Sequence, residues 1–382
     1  MALLTLVSLL TLSLAKFAAA SPCVAFDVNM NLYGFGFNGK DYNAGTQDTW
    51  SSSTKATDVT ASGRPPFDGS NTTCYLAQFF NAIYVLGADS KNPSSVYIFD
   101  AGSKSWSTQS VTAGSFDPSS FDAILDHDTN VFYALSHGEL FSLDMASLTK
   151  AGDTALQWTD VESTPYGKDY SPVMALAQNH IHFLDVPGVD AGSADIFVIH
   201  FSFFQPEAQS YPISGGGNMP ATHGQTTSLF QTQGVQQEFV FVPDDASATY
   251  VVNVENNSTQ ALAGPTSKDS KATYFGGITS IVQLDSTGAV SYLPYNQNDS
   301  NANKAASWSS VGPLLAAAPP SSTSSPSNSA VQTGSANSTA TGSASGSKSS
   351  TGAQAANGAM SIGVVGSVLS AAVGLSMLAF SL

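Results

Sequence analysis

Positive charge is nearly missing from this chain. One arginine, Arg64, and eleven lysines face 28 Asp and Glu across 382 residues, a formal net charge of −16. No Lys- or Arg-rich patch exists to meet a phosphate backbone, which excludes nucleic acid as a partner. Charge of either sign is scarce, at 10% of residues against about 25% in ordinary soluble proteins. That scarcity does not mean disorder, because 10% aromatics and many Val, Ile and Leu can build a core. A sustained helical period is also absent. Between Cys23 and Val311, short aromatic and β-branched segments alternate with Gly, Pro, Asn, Asp and Ser, so this region is expected to be all-β.

Both ends look like processing signals. Residues 2–15, ALLTLVSLLTLSLA, form an apolar run too short to span a bilayer, and Ala18, Ala19 and Ala20 supply small residues for cleavage after Ala20. At the other end, residues 321–350 hold 17 Ser and Thr, and Lys348 is the sole charge after Lys304. Such a stretch buries no apolar area and is expected to be a disordered, O-glycosylated stalk. Residues 361–382 then stay apolar to the last position with no Lys or Arg behind them. That pattern, preceded by small residues, fits a glycosylphosphatidylinositol (GPI) attachment signal better than a transmembrane helix. The attachment residue is expected to be Asn357, with Ser350 as the alternative.

The expected organisation is a signal peptide at 1–20, a β-domain at 21–311, a stalk at 312–357 and a propeptide at 358–382. This address is the extracellular face of the plasma membrane, or the cell wall, with the lipid anchor in the outer leaflet. In that oxidising compartment Cys23 and Cys74 are expected to form one disulfide. Asn-x-Ser/Thr sequons fall at Asn71, Asn256, Asn257, Asn298 and Asn337.

Within the β-domain one strand-like segment recurs, starting at Leu32, Ile83, Val131, Ile181, Phe239 and Val290, with spacings of 51, 48, 50, 58 and 51 residues. Trp50, Trp106, Trp158 and Trp308 follow at a similar phase of their units, and Tyr211 takes that place in the fourth. Cys23 and Cys74 are themselves 51 apart, so a bridge would staple the first two units. Units of about fifty residues, each too small to bury its own faces, suit a β-propeller of six blades, seven being the alternative count.

Unit two, IYVLGADSKNPSSVYIFDAGSKSW, resembles a Kelch repeat, and the whole chain resembles GPI-anchored Kelch-like fungal cell-surface propellers. The paired glycines of that family are missing, with Leu86-Gly87-Ala88 nearest to them. Some secreted Kelch-like propellers are copper oxidases that need a cysteine cross-linked to a tyrosine. Here both cysteines sit at repeat-equivalent places suited to a structural bridge. A sialidase-like site is excluded, since it clamps a carboxylate with several guanidinium groups and the chain has one.

The sharpest metal candidates are His180 and His182, alternate residues of one strand, with His200 nearby in sequence. Alternating histidines on an ordinary strand face are the simpler expectation. Asp126-His127-Asp128 reads as a turn between strands, and Gly215-Gly-Gly217 as a loop between blades. No Ser-His-Asp or metalloprotease signature occurs. These features point to a non-catalytic surface-recognition protein without cofactors, its partner a cell-wall glycan or another surface protein. The alternative is a secreted carbohydrate-active or oxidative enzyme with its site at the channel mouth.

Overall fold

The computed structural model describes residues 21–52 and 54–317. The signal peptide, the stalk from residue 318 onward, the propeptide, Asn337, Ser350 and Asn357 lie outside the described residues. The described residues form six antiparallel sheets of at least four strands, each built from contiguous sequence and ordered in chain order from the axis outward. The innermost strands are Cys23–Phe26, Thr73–Ala77, Asp122–Asp126, Met174–Ala177, Gly224–Ser228 and Thr273–Gly276. Each touches its neighbours around the ring, including blade 6 against blade 1. The fold is a six-bladed β-propeller.

Strands so rich in Val, Ile, Tyr and Phe bury both faces, because each blade lies between two others. The second strand of blade 2, Ala82–Leu86, is buried at all five positions. The cores are interfaces: one apolar cluster fills each junction between consecutive blades from 2 to 6, and a larger one joins blade 1 to blades 2 and 6. Innermost strands are also tied across blades by hydrogen bonds. Met174 N donates to Asp122 Oδ2 at 2.9 Å, Ser228 Oγ to the Leu176 carbonyl at 2.7 Å, and Gly276 N to Thr227 Oγ1 at 2.8 Å. Between blades 1 and 2 the tie is covalent, with Cys23 bonded to Cys74 across a Cα separation of 5.8 Å.

Five of the six recurring segments lie in second strands. The sixth, at Val290, begins the third strand of blade 6, Val290–Pro294, whose second strand is Ser280–Leu284. The long connection 229–237 delays the second strand of blade 5, so one period beyond Phe239 falls on the third strand of blade 6. The four tryptophans are buried at outer strands or their approaches, and each packs toward the preceding blade. Trp50 meets Tyr292 at 4.9 Å, Trp106 meets Phe35 at 5.1 Å, and Trp308 Nε1 donates to the Ala263 carbonyl at 2.9 Å. Trp158 joins the blade 2–3 core. Tyr211 differs: it lies in the blade 4–5 core and faces blade 5 through Phe239. In blade 4 Phe204 fills the backward-facing position, in the blade 3–4 core. Tyr211 follows a short extra strand, Gln209–Ser210, that pairs on the third strand, and this reversal was invisible to spacing.

The ring closes without a shared strand. Instead residues 311–317 run back over blade 1, six residues past the boundary expected from sequence. Gly312 N donates to the Trp50 carbonyl at 2.9 Å, Ala56 N to the Pro313 carbonyl at 3.2 Å, and Asn38 Nδ2 to the Ala317 carbonyl at 2.8 Å. Val311 and Leu314 are buried in the blade 1 core. Gly312 is required by close approach: a Cβ there would lie 2.4 Å from the Ser52 carbonyl oxygen and 2.7 Å from that of Trp50.

Arg64 secures the segment between blades 1 and 2. Its guanidinium donates to both oxygens of Asp41 at 2.9 and 2.6 Å and lies over the Phe67 ring at 4.9 Å. The Asp41 side chain is fully buried, so this pair is a structural clamp and not a ligand site.

Candidate binding cavity

A cavity of about 960 Å³ occupies the channel. Its mouth is the end where the innermost strands begin. There the segments 69–72, 119–121 and 168–172 and His223 form a rim, together with His137, Asp285 and Ser286 from hairpins between second and third strands. A propeller places these positions together whatever the sequence, because the strand phase repeats in every blade.

The other end is blocked by the blade 5 connection, residues 229–237. Gln236 Nε2 donates to Gln78 Oε1 of blade 2 at 3.1 Å, while Gln178 N of blade 4 donates to the Gln236 carbonyl at 2.7 Å. Phe230 lies 4.7 Å from the His127 ring of blade 3 and stacks at 6.1 Å on Phe275 of blade 6. His127, Phe230 and Gln236 are all buried. The channel is therefore a blind cavity with one mouth.

Both histidines of the mouth and several of its carboxylates are engaged. His137 Nε2 pairs with Asp117 Oδ2 at 3.0 Å, and His223 Nδ1 with Asp244 Oδ2 at 2.9 Å. The Ser119 hydroxyl and His137 hold the Asp117 carboxyl at about 2. Asp122 accepts amide hydrogens from Ala123 and Met174, both at 2.9 Å. Burial nevertheless outweighs those hydrogen bonds and raises its pKa to about 6. Burial also raises Asp185 on the same side of the mouth and lowers His127 at the floor to about 4, keeping its ring neutral. Tyr170 donates its hydroxyl to the Leu184 carbonyl at 2.6 Å. Three exposed charges, Lys168, Asp169 and Lys271, stand on the rim without an ion pair; the inner wall along the innermost strands presents hydroxyls, amides and aromatic edges.

The sequence candidates for metal lie elsewhere. His182 is buried in the blade 4–5 core between Tyr211 and Phe239, and burial depresses its pKa to about 3. His180, two residues away on the same strand, is hydrogen-bonded through Nδ1 to the Gln178 carbonyl oxygen at 2.6 Å. His200 is exposed and pairs with Asn179 at 3.0 Å. The strand His180–Phe183 packs into an interface, and His200 lies apart in the turn Ile199–Phe201. Among the described residues no three His, Cys, Asp or Glu side chains converge to hold a metal.

Of the described sequons, Asn71 stands at the cavity rim, its Nδ2 donating to the Ser119 carbonyl at 3.2 Å. Asn256 and Asn257 are exposed in a hairpin and Asn298 is exposed before a short helix. Gly215, Gly216 and Gly217 lie between blades 4 and 5, all with positive φ. Sequence reasoning missed His223, Asp244, Asp122 and the floor role of His127. Their signal was position: each falls at an end of an innermost strand, just beside one, or on a second-strand hairpin, which becomes visible only once the strand register is known.

No family model matches the chain, and no curated protein matches it. Among solved structures it is similar to YjhT, at 10% identity and a TM-score of 0.47, over 76% of this chain and 97% of the other.

Proposed function

We propose that the protein is a GPI-anchored, Kelch-like propeller of the cell surface that binds a neutral polyhydroxylated ligand, such as the end of a wall glycan, in its blind channel. The observation that carries this reading is the inner wall of the cavity, whose innermost strands offer Thr73, Tyr75, Gln225, Thr226, Thr227 and Ser228 while the unpaired charges Lys168, Asp169 and Lys271 stay at the rim. With His137 held by Asp117, and Asp122 holding two backbone amides, hydroxyls, amides and aromatic rings are left to meet a ligand. Such a surface suits sugars, which offer hydroxyls to polar atoms and apolar faces to rings. The Ser/Thr-rich stalk and lipid signal support a surface address, with the stalk carrying the domain clear of the membrane.

A glycan array probed with the purified protein tests the ligand class. Neutral glycans are expected to bind, and no binding to any neutral glycan ends the reading. Phosphatidylinositol-specific phospholipase C is expected to release the protein from cells. Mass spectrometry that still finds residues 361–382 on the surface form overturns the anchor.

A second reading rests on one pair. His223, steered by Asp244 through Nδ1, has the form of a general base at the mouth of a cavity. Turnover of a bound glycan, lost in His223→Ala while binding persists, would establish an enzyme instead.

A further inference from the structure

Four Asn-x-Ser/Thr sequons fall among the described residues, and the fold separates them by end. Asn256 and Asn257 occupy the hairpin between the third and fourth strands of blade 5, Ala248–Asn253 and Ser258–Ala263, and Asn298 lies in the corresponding connection of blade 6. Third strands run away from the mouth, so these three sites face the closed end. Of the four, Asn71 alone stands at the mouth. It is exposed, in the segment that enters the innermost strand Thr73–Ala77, and it lines the cavity.

The Asn71 amide is a fixed root. Its Nδ2 donates to the Ser119 carbonyl at 3.2 Å, across the junction from blade 2 to the rim segment of blade 3. Its backbone is held as firmly: Thr72 Oγ1 donates to the Gly87 carbonyl at 3.2 Å, and a Cβ on Gly87 would lie 2.4 Å from the Asn71 carbonyl oxygen. Glycosylation is compatible with this arrangement. Transfer of an oligosaccharide from a lipid diphosphate carrier breaks the bond from the anomeric carbon to the diphosphate and forms one from that carbon to Nδ2. One Nδ2 proton passes to the departing diphosphate, and the remaining N–H keeps a donor for Ser119. The Cys23–Cys74 bridge supports passage through an oxidising compartment, where such sequons are used.

We propose that Asn71 carries an N-glycan that screens the channel mouth, so that small molecules and slender chain ends enter while bulky ligands are excluded. Glycans are bulky and hydrated, and one rooted on the rim sweeps the space above a cavity whose other end is blocked by Gln236. Every ligand of the cavity therefore passes it. Glycans at Asn256, Asn257 and Asn298 leave from the opposite end and do not affect entry. The inference rests on the secretory address proposed above; it does not depend on which ligand the cavity takes.

The test reads a thiol in the channel wall. Gln225→Cys places it at a half-buried cavity position, and it is the sole free thiol because Cys23 and Cys74 are paired. Protein secreted from a eukaryotic host is labelled with N-ethylmaleimide or with a polyethylene-glycol maleimide, before and after an endoglycosidase trims each N-glycan to its first sugar. The small reagent is expected to react equally with both forms, and the polymer several-fold faster after trimming. Adding Asn71→Gln is expected to reproduce that gain without enzyme, whereas adding Asn298→Gln is not. Equal polymer rates before and after trimming overturn the proposal, as does a gain in Asn298→Gln that matches Asn71→Gln. Peptide mass spectrometry that finds Asn71 bare beside an occupied Asn298 overturns it and spares the address; no N-glycan at any sequon ends both. If trimming opens the mouth to the polymer and no neutral glycan binds, the screen stands and the ligand reading falls.

Discussion

Removing the Cys23–Cys74 bridge isolates one covalent tie in an otherwise non-covalent ring. The pair spans 51 residues of sequence, so the chain-entropy relation evaluates to about 4 kcal/mol of stability from constraint of the unfolded chain. Folded-state losses are small by comparison. The blade 1–2 core keeps its Phe35–Phe99 and Phe35–Trp106 contacts at 5.1 Å, and Ser replaces Cys at nearly equal volume. A ring of roughly 300 residues unfolds with an entropy near 0.6 kcal/mol/K, so Cys23→Ser/Cys74→Ser is expected to melt about 6 °C lower. Both cysteines are changed together so that no free thiol remains to cross-link. The measurement is a reversible thermal melt followed by near-ultraviolet circular dichroism, with the wild type reduced and oxidised for comparison. If the double variant melts within about 1 °C of the oxidised protein, the entropic argument fails. Two alkylatable thiols in the secreted protein would refute the bridge itself.

Arg64→Ala leaves the buried Asp41 charge unpaired and is expected to cost about 3–5 kcal/mol. Adding Asp41→Asn should restore part of that loss in a denaturant titration. Gly312→Val drives a side chain into the Trp50 and Ser52 carbonyls. It is expected to detach the closing segment, read as faster hydrogen exchange at the residue 312 and Ala56 amides, with a loss of about 1–3 kcal/mol typical of overpacking. Asp122 is raised to about 6 from 3.8, so the folded protein holds a proton there that the unfolded chain has released between those values. Its contribution is therefore complete below pH 3.8 and is lost as pH rises to about 6, with a slope of at most about 1.4 kcal/mol per pH unit. Asp122→Asn is expected to flatten the stability profile over pH 4–6, whatever its absolute stability. An unchanged slope would assign the pH dependence to other groups.

What was legible in the sequence was whatever repeats. Apolar segments at near-constant spacing, with tryptophans at a fixed phase, reported a unit that cannot bury its faces alone, and six such units close a ring. The cysteines reported their own pairing because equivalent positions of adjacent blades lie side by side at the axis. Register within blade 6 was not legible, since its second and third strands are both apolar and the long connection 229–237 of blade 5 had displaced the period before it. Tyr211 sat at the right phase and packs the opposite way, because a local extra strand intervenes. Nor could spacing reveal the closing segment 312–317, which carries no strand pattern and is fixed by a glycine pressed against two carbonyls. The cavity belongs wholly to tertiary structure. His223 and Asp244, Asp122 and Met174, and Gln236 and Gln78 are 21, 52 and 158 residues apart, and only the closed ring brings them to one channel. Local chemistry determined the blades; long-range geometry decided which side chains share a site.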